Sequence, residues 1–352
     1  AFPRNSRNSL ERNWGAFMTK QECQRAETMT MIDKPMRFQA KEHGEICLMG
    51  IAEDPVLLAV ARQLERRGEN FFIFDQNRYP GDCHVNYSMS SMGLSGYLSI
   101  DGMRHEIQNI KSAYMRFLGA PPALAGNEEQ ERQEGERFLA LDHLTRVWDA
   151  PTIGMLKPCA TNFSKPLQIS LFGSAQIRVP ETLLTSNPQA ALKFANRANP
   201  VSFKSTSSER SICMKLEGRW LRRLPKIKNL PVQFQKYIEG LDIRVHVAGN
   251  FIHALAIETG ASDYRYSERY FGIEARTWQY ELPEPIKKEL VRITQSLGLV
   301  VSGIDLRKTA DGRFFCFEVN PTPGFSYFDP EPAFPIANAI CDLLTGETYV
   351  QD

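Results

Sequence analysis

Two runs of alternating apolar and polar residues, joined by Asp311-Gly312, constrain this chain more than any other feature. They read Gly303-Ile-Asp-Leu-Arg-Lys-Thr-Ala-Asp-Gly-Arg-Phe-Phe-Cys-Phe-Glu-Val-Asn-Pro321. A two-residue turn at that dipeptide pairs Ala310 with Arg313 and sets Asp305 directly opposite Glu318. Asn320, two residues beyond Glu318, shares its face. Opposed side chains on neighbouring strands lie roughly 5 Å apart at Cβ, and like charges there repel, so a cation is expected between them. Three oxygen-bearing side chains suit Mg²⁺, which keeps water and substrate phosphates as its other ligands. The plainer alternative is a solvated hairpin whose acids touch Arg307 and Lys308. Ile304, Leu306, Phe315, Phe317 and Val319 argue against it, because they describe a packed sheet with its polar groups aimed at one place. A three-residue turn would shift this register.

The 352 residues are enough for roughly two to three domains. Forty-two basic against 41 acidic residues exclude a strongly basic, nucleic-acid-coating protein. The longest apolar stretches, Pro55 to Ala61 and Leu297 to Ile304, fall short of the ~18 residues of a membrane span, so no membrane partner is expected. Cys23, Cys47, Cys83, Cys159, Cys213, Cys316 and Cys341 form no C-x-x-C pair, which disfavours zinc and disulfides and fits reduced thiols of a cytoplasmic protein. No secretion signal opens the chain. It begins at Ala1, with Met18, Met29 and Met31 as candidate native starts.

Residues 1–43 are polar and weakly periodic and read as a tail or docking segment. Residues 44–127 contain Ile46 to Ile51, a helix from Val56 to Arg67 started by Asp54-Pro55, and Phe71 to Asp75: a βαβ unit, followed by a strand at Ala113 to Phe117. Glu128 to Trp148 predicts an amphipathic helix marked by Phe138, Leu141, Leu144 and Val147, within a connection over 128–160. A smaller lobe over 161–232 carries a helix from Pro166, a helix over Gln189 to Arg197 capped at Ser186-Asn-Pro188, and strands at Pro180, Pro200 and Ile212. Residues 233–352 form the last lobe, with a hairpin turning at Gly249-Asn250, helices from Pro283 and Pro335, and the Asp305/Glu318 hairpin. The fold class is α/β (α+β).

Lys204 ends an apolar strand and Lys165 precedes a helix; both could reach phosphate oxygens, although each taken singly reads as a solvated lysine. Ser205 to Ser211 is a hydroxyl-rich loop able to cover phosphates, without the glycines of a strong phosphate loop. The strand end Phe234-Gln-Lys-Tyr-Ile-Glu-Gly240 offers a backbone edge to an adenine. Read in order, Asn162-Phe-Ser-Lys165, Val179-Pro-Glu-Thr182, Lys204, Phe234 to Ile238, Asp242-Ile-Arg244, Ser262-Asp-Tyr-Arg265, Asp305 and Glu318-Val-Asn-Pro321 resemble the ATP-grasp superfamily over residues 44–346. Within it the pattern is most similar to the ribosomal-protein glutamate ligase branch, and especially to the peptide maturases that make microviridin-type side-chain links, the graspetide synthetases.

The resemblance implies an ATP-grasp fold behind an N-terminal βαβ domain, with ATP and Mg²⁺ as cofactors. By it, Lys165 and Lys204 hold phosphates, while Gln235, Lys236, Tyr237 and Ile238 line the adenine and Asp242 lies near the ribose. Arg244 and Arg265 face the transferring phosphoryl or acyl phosphate, and Asp305, Glu318 and Asn320 bind the metal. It also implies a ligase working through an acyl phosphate, with a precursor peptide as partner. A ligase for a free amino acid or small carboxylate and a non-catalytic nucleotide-binding regulator are the alternatives. A homodimer is left open. His246 and His253 are expected to be structural, so no general base is named.

Overall fold

The structure, a computed structural model, describes residues 38–117, 128–154, 165–172, 177–206, 213–259 and 275–347. The 1–43 tail therefore lies almost wholly outside the described residues, as do Cys23, Cys159 and Arg265.

The N-terminal part is a parallel sheet in the order β2-β1-β6-β7, formed by β1 (Glu45–Gly50), β2 (Phe71–Asp75), β6 (Ile110–Arg116) and β7 (Thr152–Ile153). The crossover from β1 to β2 is α1 (Pro55–Arg66), whose Val56, Leu57, Val60 and Leu64 are buried. Its start follows from chemistry: Asp54 accepts from Leu57 N at 3.0 Å, and Pro55 sits where a missing N–H costs nothing. Between β2 and β6 lies an antiparallel meander, β3 (Cys83–Ser90), β4 (Gly93–Ile100) and β5 (Met103–Glu106). None of these strands is among those expected from sequence, although Cys83, Val85, Tyr87 and Met89 alternate with polar residues. The meander packs Cys83 and Leu98 against Met49, Phe72 and Phe74 of the parallel sheet.

The long helix α2 (Glu128–Val147) forms as expected, but its buried stripe runs Leu141, Leu144, Trp148. Val147 is exposed, because a step of four from Leu144 reaches Trp148 and leaves its neighbour outside. The side chain of Phe138 lies outside the described residues.

Two further sheets follow. The smaller has the order β10-β9-β11-β8, from β8 (Thr182–Thr185), β9 (Val201–Ser205), β10 (Met214–Lys215) and β11 (Val232–Lys236). It packs on α4 (Pro188–Ala198), whose cap is Asn187, and on the short α5 (Arg219–Arg223) and its continuation. The larger has the order β14-β13-β12-β15-β16, from β12 (Leu241–Ala248), β13 (Phe251–Glu258), β14 (Arg276–Gln279), β15 (Val301–Lys308) and β16 (Phe314–Asn320). Ile243, Val245, Val247, Ile304, Leu306 and Val319 form one face and pack on Leu290 and Ile293 of α6 (Glu284–Ser296). α3 (Lys165–Phe172) buries Phe172 in the same core.

The chain closes with α7 (Pro335–Thr345), whose Ile336, Ile340 and Leu344 share a core with α1 and β1. Arg67 donates to Asp342 at 2.7 Å across that junction. Buried Cys47, Cys83, Cys316 and Cys341 have thiol pKa values raised by burial, with Cys341 pushed up to about 12. No helix of the described residues is long and apolar enough to cross a membrane.

Candidate active site

The hairpin expected to bear the acids differs from its sequence reading in a useful way. Thr309 N donates to Arg313 O and Gly312 N to Thr309 O, each at 2.9 Å, so the loop has three residues, Ala310 to Gly312. Gly312 has φ +82, the left-handed value that such loops require. The strands then pair Lys308 with Phe314 and Leu306 with Cys316, one residue out of the expected register. A bulge at Phe317 restores it, and Asp305 faces Glu318 after all, with Gly303 opposite Asn320.

The face of the large sheet opposite its apolar core is charged. On β12, Asp242 and Arg244 stand beside Arg307 and Asp305 of β15. Arg244 Nη1 donates to Asp305 at 2.8 Å, while Arg307 binds both oxygens of Asp242 at 2.7 and 2.8 Å and the carbonyl of Ile238 at 2.8 Å. Gly303 has no freedom to change: a Cβ there would collide with Arg244 Nη2 and Pro323 Cβ.

Glu318 is where the lobes meet. Lys165, at the start of α3, donates to its Oε1, and Lys204, from β9 of the small sheet, brings Nζ to 3.7 Å from Oε2. Each acid is thus met by cationic side chains of the protein. Burial lowers the Lys165 pKa, nearby Glu318 opposes this, and Lys204 adds to the depression. Lys165, Lys204 and Arg244 outnumber Asp305 and Glu318 by one charge, so the cluster is suited to an added polyanion together with a metal ion.

Sequence reasoning missed Gln168. It lies three residues after Lys165 on the same helical face, and its amide bonds Val319 O at 2.7 Å and Val319 N at 3.3 Å. These two bonds hold the outer edge of β16 beside Glu318. The i, i+3 spacing of Lys165 and Gln168 was the available signal.

The nucleotide candidates divide. Lys236, Tyr237 and Ile238 line a cavity of about 780 Å³, together with Arg178, Val179, Glu239 and the 309–313 turn. Glu181 O accepts from Lys236 N at 2.9 Å, so residues 178–185 join both sheets on one side of that cavity. Gln235 is not in its wall: it is buried in the small sheet and donates to Thr182 at 3.0 Å. Its side chain lies on the same face of the small sheet as Lys204, opposite the Phe234 face that packs in the lobe's core. Asp242 is engaged by Arg307. Arg265 and most of the 205–211 loop lie outside the described residues.

His246 and His253 are buried and paired across β12 and β13. Arg244 Nε lies 3.4 Å from His246 Nε2, a geometry that needs a neutral ring. Burial, followed by Arg244 and His253, holds the His246 pKa well below 6.5; burial also lowers that of His253. The unfolded chain takes up protons below about pH 6.5 that these folded rings resist. Stability contributed by their neutral state is therefore complete above that pH and falls as the pH drops. Chemical denaturation from pH 7.5 to 5.5 should show a loss of up to about 1.4 kcal/mol per pH unit for each ring. His246→Gln should flatten that slope; a slope equal to the wild type would contradict the assignment.

Asp305, Glu318 and Asn320 offer only hard oxygen donors, with no thiol or imidazole among them. Asn320 Oδ1 accepts from Thr322 N at 3.1 Å and keeps a second lone-pair direction. Two carboxylates and one amide are too few to enclose an ion. They fit Mg²⁺ carried in on phosphates, which completes its shell with phosphate oxygen and water. Residues 163–344 match the RimK-like ATP-grasp domain. The chain belongs to the RimK-like ATP-grasp family. Among curated relatives, a "Probable alpha-L-glutamate ligase" of Mannheimia succiniciproducens is 27% identical over 51% of this chain and 62% of its own length. The chain thus spans about three fifths of that relative.

Among solved structures, ATP-grasp ligase PsnB complexed with minimal precursor is 26% identical, with a TM-score of 0.71, over 85% of this chain and 97% of that one. Macrocyclase MdnC from Microcystis aeruginosa MRC, bound with precursor peptide MdnA, is 20% identical. It has a TM-score of 0.73 over 86% of this chain and all of that one, a likeness of fold. The ATP-grasp fold expected from sequence is therefore the fold of this chain.

Proposed function

We propose that this RimK-like ATP-grasp protein is an ATP-dependent ligase that joins carboxylates to hydroxyls or amines within a precursor peptide. The observation that carries the chemistry is the convergence of Lys165, Lys204 and Arg244, from three separate elements, on Asp305 and Glu318. Such a cluster serves phosphoryl transfer, where catalysis consists largely of positioning and of balancing charge. The peptide is supported by the likeness to PsnB, which has also been solved with minimal precursor, Mg and ADP.

In this reading Lys165 and Lys204 bind phosphate oxygens, and the 236–238 strand end holds the adenine. Asp305, Glu318 and Asn320 hold Mg²⁺, which supplies charge neutralisation at the phosphates. A substrate carboxylate oxygen bonds to the γ-phosphorus, the bond to the bridging oxygen breaks, and ADP leaves. Arg244 and Arg265 stabilise the charge on the resulting acyl phosphate. A hydroxyl or amine then attacks the acyl carbon, the C–O bond to phosphate breaks, and the nucleophile's proton passes to the released phosphate or to water. Arg307, fixed to Asp242 and Ile238 O, braces the wall between adenine and phosphates.

The curated relatives favour a second reading, ligation of a free amino acid such as glutamate. Phosphate release decides between the two. It should be stimulated by a synthetic peptide encoded beside this protein and rich in Ser, Thr or Lys with Asp or Glu. Stimulation by free glutamate and an amine instead would select the second reading.

A further inference from the structure

The parallel N-terminal sheet reaches into the loop that follows Asn320. Arg116, the last residue of β6, is only 5% exposed. Its Nε donates to Asp54 Oδ2 at 2.6 Å, and its Nη1 donates to the carbonyls of Thr322 at 3.1 Å and Pro323 at 3.0 Å. Asp54 is itself immobilised as the cap of α1. At the other end of the same short loop, Thr322 N donates to Asn320 Oδ1, and Pro323 packs at Gly303 beside the guanidinium of Arg244.

A buried ion pair is weak evidence for stability, since desolvation offsets much of its attraction. What the pair does provide is geometry. A planar guanidinium held at Nε by a fixed carboxylate presents its remaining donors in one direction, which an ammonium cannot do. Here those donors capture two successive carbonyls and so fix the path of residues 322–323. That path sets where the Thr322 N–H points, and therefore how the Asn320 amide oxygen is turned.

We propose that Arg116, braced by Asp54, is a positioning residue for the metal–nucleotide site, acting through the 322–323 backbone on Asn320. The N-terminal sheet is thereby part of the nucleotide machinery as well as its neighbour. This inference rests on Asp305, Glu318 and Asn320 being the metal ligands.

The experiment is calorimetric titration of ADP into wild type, Arg116→Lys, Arg116→Met, Asp54→Asn and Glu318→Gln at a series of Mg²⁺ concentrations, with thermal melts in parallel. Outer partners of metal ligands typically alter metal affinity about 10- to 100-fold. Arg116→Lys and Arg116→Met should move the Mg²⁺ midpoint of ADP binding upward by roughly that factor while leaving metal-free ADP affinity unchanged. Asp54→Asn, which keeps a capping acceptor, should move it the same way by less, and supplies the readout if an Arg116 variant does not fold. A lowered melting temperature with a wild-type Mg²⁺ midpoint would reduce Arg116 to a tie between domains and overturn the proposal. An unchanged midpoint in Glu318→Gln would instead overturn the metal reading beneath it.

Discussion

Glu318→Gln should lower ATP turnover by on the order of a thousandfold, the scale of losing one preorganised electrostatic group at a reacting centre. Asp305→Asn should do the same. Neither variant is expected to unfold. Glu318 is paired with Lys165 and Lys204, so the amide leaves two cations short of a partner, but Asp305 still faces Lys165. A modest fall in melting temperature is the expected cost. The sign of the binding change is diagnostic. Without metal, ADP should bind Glu318→Gln no more weakly than wild type, because a negative charge has been removed beside the phosphates. With Mg²⁺ the gain in affinity should be largely absent. Full turnover in both variants, with native circular dichroism, would remove the metal assignment.

Lys204→Ala behaves differently. Its Nζ has no hydrogen bond at Glu318, since 3.7 Å is beyond that range, so little native stability depends on it. Its proposed partner is phosphate, and a charge-assisted contact of ~1.5 to 3 kcal/mol corresponds to a roughly ten- to hundredfold rise in the ATP dissociation constant. That rise should be seen with and without Mg²⁺, unlike the loss in Glu318→Gln. Unchanged affinity by calorimetry would return Lys204 to an ordinary lysine.

The β12 and β13 hairpin, α1 with its Asp54 cap and the start of α7 at Pro335 were legible in sequence, because periodicity and capping residues act over a few positions. The acid pair was legible too, although by an argument whose turn was wrong. Asp311-Gly312 suggested a two-residue loop, the chain uses three, and the bulge at Phe317 corrects the register. Alternation alone cannot reveal a bulge, since both strands stay apolar through it. What could not be read were long-range partners. Gln168 on Val319, Arg307 on Asp242 and Arg116 on the 322–323 carbonyls join residues far apart in sequence. Nothing local to a glutamine or an arginine says which distant backbone it will hold. Gln235 is of the same kind: nothing beside it in sequence says that its amide reaches Thr182.

The most direct test is mass spectrometry of the candidate peptide after incubation with ATP and Mg²⁺, with the nucleotide products resolved in the same sample. Acyl-phosphate ligation within a peptide must release ADP and phosphate, and each link formed must remove the mass of one water from the peptide. Arg265→Ala, tested alongside, should lose more in this reaction than in ATP binding, because its proposed partner is charge that develops only during transfer. ADP with a peptide lighter by whole waters is the expected result. ADP with an unmodified peptide would move the protein to small-molecule ligation, and AMP with pyrophosphate would contradict the mechanism itself.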